Sequence, residues 1–272
     1  MTMTAQTTSR VPSAAAPSLP SGSSAGPGSL RPLLDLRQVL DTLAMRILLA
    51  VSAVCIVGMA VLSTALQPLL IEDAPVLPNG AVIAVSLVLA VVLPVLCVLT
   101  VAGEWPGAIQ STFLLRPRRT AVLVSKVLAA VLIAIVVTAV SLALAVGLSA
   151  LVGSVSGRGT SYEDLGSALL DYGLQALLAA LFAIACAALL QGTALAMVIA
   201  VVVPFVVSIA ASLVMVLASE TIVEVMEYLD LSGAASAIAN GEVEGSSIGA
   251  IVLLIVIPLV AGGVRWSRRE IG

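Results

Sequence analysis

Four cations fall in a short interval of this chain: Arg116, Arg118, Arg119 and Lys126. The chain holds only twelve Lys and Arg residues, and Lys126 is its one lysine, so this is its densest basic patch. The interval begins at Glu104-Trp105-Pro106-Gly107 and reads EWPGAIQSTFLLRPRRTAVLVSK through Lys126. Charge of that density suits ion pairing with an acidic partner or with anionic headgroups. Other chemistry is poorly supplied. There is no histidine, which removes the commonest general base and the commonest metal ligand. Cys55, Cys97 and Cys186 lie in separate apolar runs without CxxC spacing, and read as small buried hydrophobes. A phosphate-binding loop GxxxxGK[ST] is excluded, because Ser125 rather than Gly precedes the only lysine. The chain cannot bind ATP in that way itself.

The elements that position the basic interval are apolar. The composition is 60% hydrophobic and 10% charged, against roughly 25% charged in a soluble domain. A bilayer span needs about 20 apolar residues. Six stretches meet that criterion: Ile47–Leu66, Ala81–Ala102, Val122–Val152, Ala168–Leu190, Ala194–Leu217 and Ile248–Val264. The third is long enough to project beyond the bilayer. The expected fold is all-α and polytopic, and the basic interval separates its second and third spans. Polar residues within spans are few and mild: Ser52, Ser86, Thr138, Ser141, Ser208 and Ser212. They are expected to bond their own backbone. No span carries a charge at mid-depth, so an intramembrane proton relay is not visible. Pro94, Pro204 and Pro258 predict kinks.

Residues 1–32 are rich in Ser, Ala, Pro, Gly and Thr and read as a disordered tail; no apolar core of a secretory signal follows a basic start. Residues 33–272 form the membrane domain. Leu33, Leu36, Leu40, Leu43 and Ile47 share one helical face, with Asp35, Arg37, Gln38, Asp41, Thr42 and Arg46 on the other. That pattern predicts an amphipathic helix lying in the interface.

Orientation follows the basic residues. With the amino terminus inside, Arg10, Arg31, Arg37, Arg46, Arg116, Arg118, Arg119, Lys126, Arg265, Arg268 and Arg269 are all inside, and only Arg158 is outside. Glu72, Asp73, Glu163, Asp164, Asp171, Glu220, Glu224, Glu227, Asp230, Glu242 and Glu244 are assigned to outer segments. Both termini are expected in the cytoplasm, in a multi-pass protein of the cell membrane. The longest outer segment, 219–247, predicts a short amphipathic helix carrying Glu220, Glu224 and Glu227 on one face, resting on the outer leaflet or dipping into it. Ala176, Ala180, Ala183 and Ala187 form a smooth strip along the fourth span, suited to close packing within the bundle or to a dimer contact.

Glu104-Trp105, Gly107-Ala108-Ile109, Ser111-Thr112-Phe113, Pro117-Arg118-Arg119 and Lys126, with the Ser267-Arg268-Arg269-Glu270 ending, carry a resemblance. Over roughly Leu33 to Glu270 the chain resembles the membrane subunits of type-2 exporter ABC transporters, in particular bacterial permeases without an ATPase domain of their own. It departs by one missing residue between Glu104 and Gly107, and by Pro106 where such permeases often have a polar or basic residue. The resemblance implies a short cytoplasmic coupling helix between the second and third spans. It implies a second permease chain, forming a homo- or heterodimer, and a separate cytoplasmic ATPase subunit that binds the ATP; no cofactor or metal is expected on this chain, and no catalytic site. Glu104, Trp105, Gly107, Ile109, Phe113, Leu114, Arg116, Arg118, Arg119 and Lys126 are then the ATPase-coupling residues. Trp105, Ile109, Phe113 and Leu114 would anchor the contact, and the arginines would meet acidic groups of the ATPase or membrane lipid. Positive-inside topology accounts equally well for those arginines. The cargo would be amphiphilic, lipid-like or drug-like. The rival reading is a non-transporting sensor or immunity protein of permease-like fold; a membrane-embedded enzyme is disfavoured by the lack of His and of clustered carboxylates. Nothing points to nucleic acid.

Overall fold

A computed structural model describes residues 41–70, 75–103, 119–217 and 220–268. Apolar runs of this length close their own backbone hydrogen bonds as helices, and six helical stretches here are long and apolar enough to cross a membrane. They are α1 (Leu43–Leu70), α2 (Pro78–Ala102), α3 (Arg119–Val155), α4 (Leu165–Leu190), α5 (Thr193–Leu217) and a sixth span running from 245 to 268. Two short helices, α6 (Glu220–Glu227) and α7 (Leu231–Ala239), stand between α5 and the sixth span. No strand occurs among the described residues; the one isolated bridge joins Val76 to Thr160.

Local chemistry sets the ends of these helices. Thr42 caps α1: its hydroxyl accepts from the Met45 N–H at 3.3 Å, so the helix begins there. Residues 43–47 therefore belong to the first span, and the boundary drawn at Ile47 moves to Thr42. The remainder of the predicted interfacial helix, from 33 to 40, lies outside the described residues. Pro78 opens α2 at a position where its missing N–H has no intrahelical partner. From α1, Gln67 clamps Leu77 twice, accepting from its N–H and donating to its carbonyl, both at 2.8 Å. Between α4 and α5 only Gln191 and Gly192 intervene; Gln191 takes the left-handed conformation and its N–H bonds Ala187 O at 3.1 Å.

The sixth span comprises α8 (Gly245–Ile251), a π turn (Val252–Val256) and α9 (Ile257–Arg268). The predicted disturbance at Pro258 takes this form. A proline ring collides with the carbonyl four residues back, here Leu254, and the wider π turn makes room for it.

α2 and α4 are the centre of the bundle. Of their spanning windows 56% of residues are buried, against 11% for α5. The alanine strip of α4 explains part of this. Ala176, Ala180, Ala183 and Ala187 are all buried in the main core with Val85, Leu89 and Leu93 of α2. The strip thus packs within one chain, and the dimer-contact reading of it is set aside. A second core joins Leu178, Phe182 and Cys186 of α4 to Leu231, Ala234 and Ala235 of α7 and to Ala250 and Ile255 of the sixth span. A third knits Met45, Leu96 and Ile133 across the first three spans.

The sixth span approaches the end of α4 most closely at Gly262. A Cβ there would lie 2.6 Å from the Ala188 carbonyl carbon and 2.7 Å from Leu189 N. Just beyond, Arg265 Nη1 donates to Leu189 O at 3.1 Å and so satisfies a carbonyl that the helix end leaves without a partner.

Candidate functional site

One end of the bundle gathers the cations. The starts of α1 and α3 and the ends of α2, α4 and the sixth span meet there. Among the described residues it holds Arg46, Arg119, Lys126, Arg265 and Arg268. Glu163, Asp164, Glu220, Glu224, Glu227, Glu242 and Glu244 fall at the opposite end, with Arg158. The sorting read from the charges is thus reproduced by the packing. Asp171 differs in detail. Expected in an outer segment, it sits in the second turn of α4, where Ser236 Oγ of α7 donates to its Oδ1 at 2.6 Å.

At the basic end α3 outruns its neighbours. Its 37 residues amount to about 55 Å at 1.5 Å per residue, against a hydrocarbon core of about 30 Å. The Cys97 thiol of α2 faces Ala130 O of α3 at 3.9 Å. Cys97 is five residues from its helix end and Ala130 is eleven from its own, so α3 continues about 9 Å further. Of the expected coupling residues, Glu104, Trp105, Gly107, Ile109, Phe113, Leu114, Arg116 and Arg118 lie outside the described residues. Arg119 is the first residue of α3. Lys126 is two turns further on and is buried, with 4% of its surface exposed. Ser125 and Val122 beside it are each 1% exposed. The lysine is therefore enclosed in the base of the bundle.

At the opposite end residues 220–247 fold into the protein. α6 descends beside α5, and the chain turns at Tyr228–Asp230, where the Leu229 and Asp230 N–H groups bond Met226 O at 3.0 and 3.1 Å. α7 then climbs back along α4, pinned near its far end by the Ser236–Asp171 bond. Tyr228 lies over Gly249 of the sixth span: a Cβ on that glycine would meet the ring at 2.5 Å. This hairpin packs against the bundle, and it consists of two helices rather than the one short helix expected. The signal that marks α7 is its cap. Asp230 Oδ1 accepts from Ser232 N–H at 2.9 Å.

Two cavities border the hairpin tip. One, of about 160 Å³, is lined by Ser86, Leu87, Ala90, Tyr172, Gln175, Ala176, Ala179, Pro204, Phe205, Ser208, Leu231 and Ser232. The other, of about 240 Å³, is lined by Phe182, Val203, Pro204, Val207, Leu229, Asp230, Leu231, Ser232 and Leu254. They share Pro204, Leu231 and Ser232 and so adjoin. Pro204 is the twelfth of the 25 residues of α5, which sets the cavities near mid-span. Among the mild polar residues singled out from the sequence, Ser86 and Ser208 line the first cavity. Ser86 and Ser52 bond their own backbone, at Ile83 O and Leu48 O, as expected. Thr138 does not: its buried hydroxyl has no hydrogen-bond partner among the described residues. Tyr172 and Gln175 lie within α4 and carry no sequence signal of their own, and Asp230, expected in an outer segment, reaches the second cavity because the hairpin turns there.

No group of three or more His, Cys, Asp or Glu side chains that could hold a metal exists among the described residues. The fold and composition define a helical membrane protein with six candidate transmembrane helices. No family model matches the chain, and no curated protein matches it.

Proposed function

We propose that this chain is the membrane subunit of an ATP-driven ABC exporter, energised by a separate cytoplasmic ATPase and working with a second permease chain. The cargo in this reading is amphiphilic, lipid-like or drug-like. The observation that supports it is where the helices flanking the basic interval end and begin. Residues 104–118 join the ends of α2 and α3 at the cation-rich end of a six-helix bundle, and Lys126 is buried two turns up the over-length α3. In this reading a push delivered at that junction is passed to α3, which is anchored in the core at Val122, Ser125 and Lys126. The cavities beside the hairpin between the fifth and sixth spans support the same reading by offering a place for cargo within the bundle.

The coupling contact is tested by co-purification with a cytoplasmic protein that contains a phosphate-binding loop. Wild-type chain is expected to retain such an ATPase. Trp105→Ala and Phe113→Asp are expected to lose it, since truncating an aromatic anchor commonly costs about 2 kcal/mol or more. Undiminished association and transport in both variants would sink the assignment. Lack of any associated ATPase would favour the non-transporting sensor.

A further inference from the structure

We propose that the two adjoining cavities form one binding site for a slim amphiphile bearing a single positive charge, its apolar body entering between α2 and α5 and its cationic head resting at Asp230. The proposal names the cargo class, and it rests on the exporter reading for transport though not for binding.

The entrance is apolar and open. Leu87 and Phe205 line the first cavity while remaining 56% and 40% exposed on the outer surface of the bundle. A molecule dissolved among lipid chains would meet this gap from the side. Farther in, a few polar groups converge on a mostly hydrocarbon lining: Ser86, Tyr172, Gln175, Ser208 and Ser232. That mixture is typical of ligand pockets. Their volumes run from about 300 to 1,000 Å³ for drug-sized ligands, so the present pair suits a narrow one.

The head site is set by Asp230. Among the described residues it is the only charged side chain lining either cavity. Its Oδ1 accepts from Ser232 N–H, whereas Oδ2 makes no hydrogen bond to a described residue. No Lys or Arg pairs with it among the described residues. A carboxylate near mid-span is costly unless something compensates it, and such residues characteristically mark ligand or ion paths. Aromatic side chains reinforce the choice of a cation. The chain has only three Phe and three Tyr, yet Phe182, Phe205 and Tyr172 all line these cavities. Ring faces attract ammonium groups when water is scarce. An anionic or zwitterionic head would meet Asp230 with repulsion or with no net gain.

Asp230 also caps α7, and the test must separate the two roles. Asn and Ser cap a helix as Asp does, so Asp230→Asn and Asp230→Ser remove the charge and keep the hairpin. The full chain, purified without any ATPase and placed in phosphatidylcholine nanodiscs, is titrated with a photoactivatable dodecyltrimethylammonium and, in parallel, with its uncharged carbon isostere. Labelled peptides are read by mass spectrometry. In wild type the ammonium probe should label α2, α5 and the hairpin saturably, and more tightly than the isostere. Asp230→Asn and Asp230→Ser should weaken the ammonium probe by about tenfold or more and leave the isostere unchanged. Ala179→Leu, which fills the first cavity, should weaken both. Equal binding of the two probes to wild type, or full ammonium affinity in the Asp230 variants, would overturn the proposal. Charge-selective binding without ATPase association would sink the transporter reading alone; the converse would sink this site alone.

Discussion

Gly262 offers a sharp quantitative test of the packing. An added methyl group would stand 2.6 Å from the Ala188 carbonyl carbon, 2.7 Å from Leu189 N and 2.9 Å from Ala188 O. Optimal carbon contacts are about 3.5–4.0 Å. All three neighbours are backbone, so no rotamer change relieves the clash. The sixth span and the end of α4 must separate by roughly 1 Å, and overpacking of this kind costs about 1–3 kcal/mol. The same displacement stretches the Arg265–Leu189 bond, now 3.1 Å. Gly147 in α3 is the internal control, because a Cβ there meets nothing within 4 Å. Replacing a mid-helix glycine by alanine in open space gains about 0.5–1 kcal/mol. The assay is thermal unfolding in detergent, followed with a thiol-reactive fluorophore on a Cys55→Ser background. The remaining Cys97 and Cys186 are buried and report loss of the core. At about 2–4 °C per kcal/mol, Gly262→Ala should melt several degrees below wild type and Gly147→Ala at or above it. If Gly262→Ala melts with or above Gly147→Ala, the close approach of the sixth span to α4 is wrong.

Three further outcomes are expected. Ser236→Ala removes the 2.6 Å bond to Asp171; losing a hydrogen bond to a carboxylate costs about 1–2 kcal/mol at a half-buried site, so hydrogen exchange over 231–239 should quicken while α2 is unaffected. Gln67→Ala breaks both links to Leu77 and should lower stability by about 1–2 kcal/mol in the same melting assay. In a chain stripped of native cysteines, an impermeant maleimide applied to intact cells should label Val243→Cys but not Ser267→Cys; the reverse pattern would overturn the inward placement of the basic end.

Apolar run length located the spans within a few residues, because a bilayer-sized hydrophobic stretch has little choice but to be a helix. Charge then sorted their ends. What the run length could not convey was the hairpin. The stretch Leu231–Ala239 is short and rich in small residues, too short to register as a membrane segment. Its burial arises only when α4 presents Leu178 and Phe182 to it. For the same reason Asp171 and Asp230 are expected merely in outer segments, when Asp171 is fixed by a contact distant in sequence and Asp230 by its own cap. The fold of the sixth span was half legible: Pro258 marked a disturbance, but whether a helix answers with a kink or a π turn depends on its neighbours. The basic interval proposed to couple to an ATPase is read wholly from motif spacing and charge, with Lys126 the one member whose burial the packing adds.

The central claim is that the basic end receives an ATPase at residues 104–119. A photo-crosslinking amino acid placed at Phe113 in living cells addresses it directly, with Val243 at the acidic end as the control. The account predicts a covalent adduct from position 113, and none from position 243, to a cytoplasmic polypeptide whose peptides include a phosphate-binding loop. Absence of such an adduct from 113, or an equal yield from 243, would contradict it.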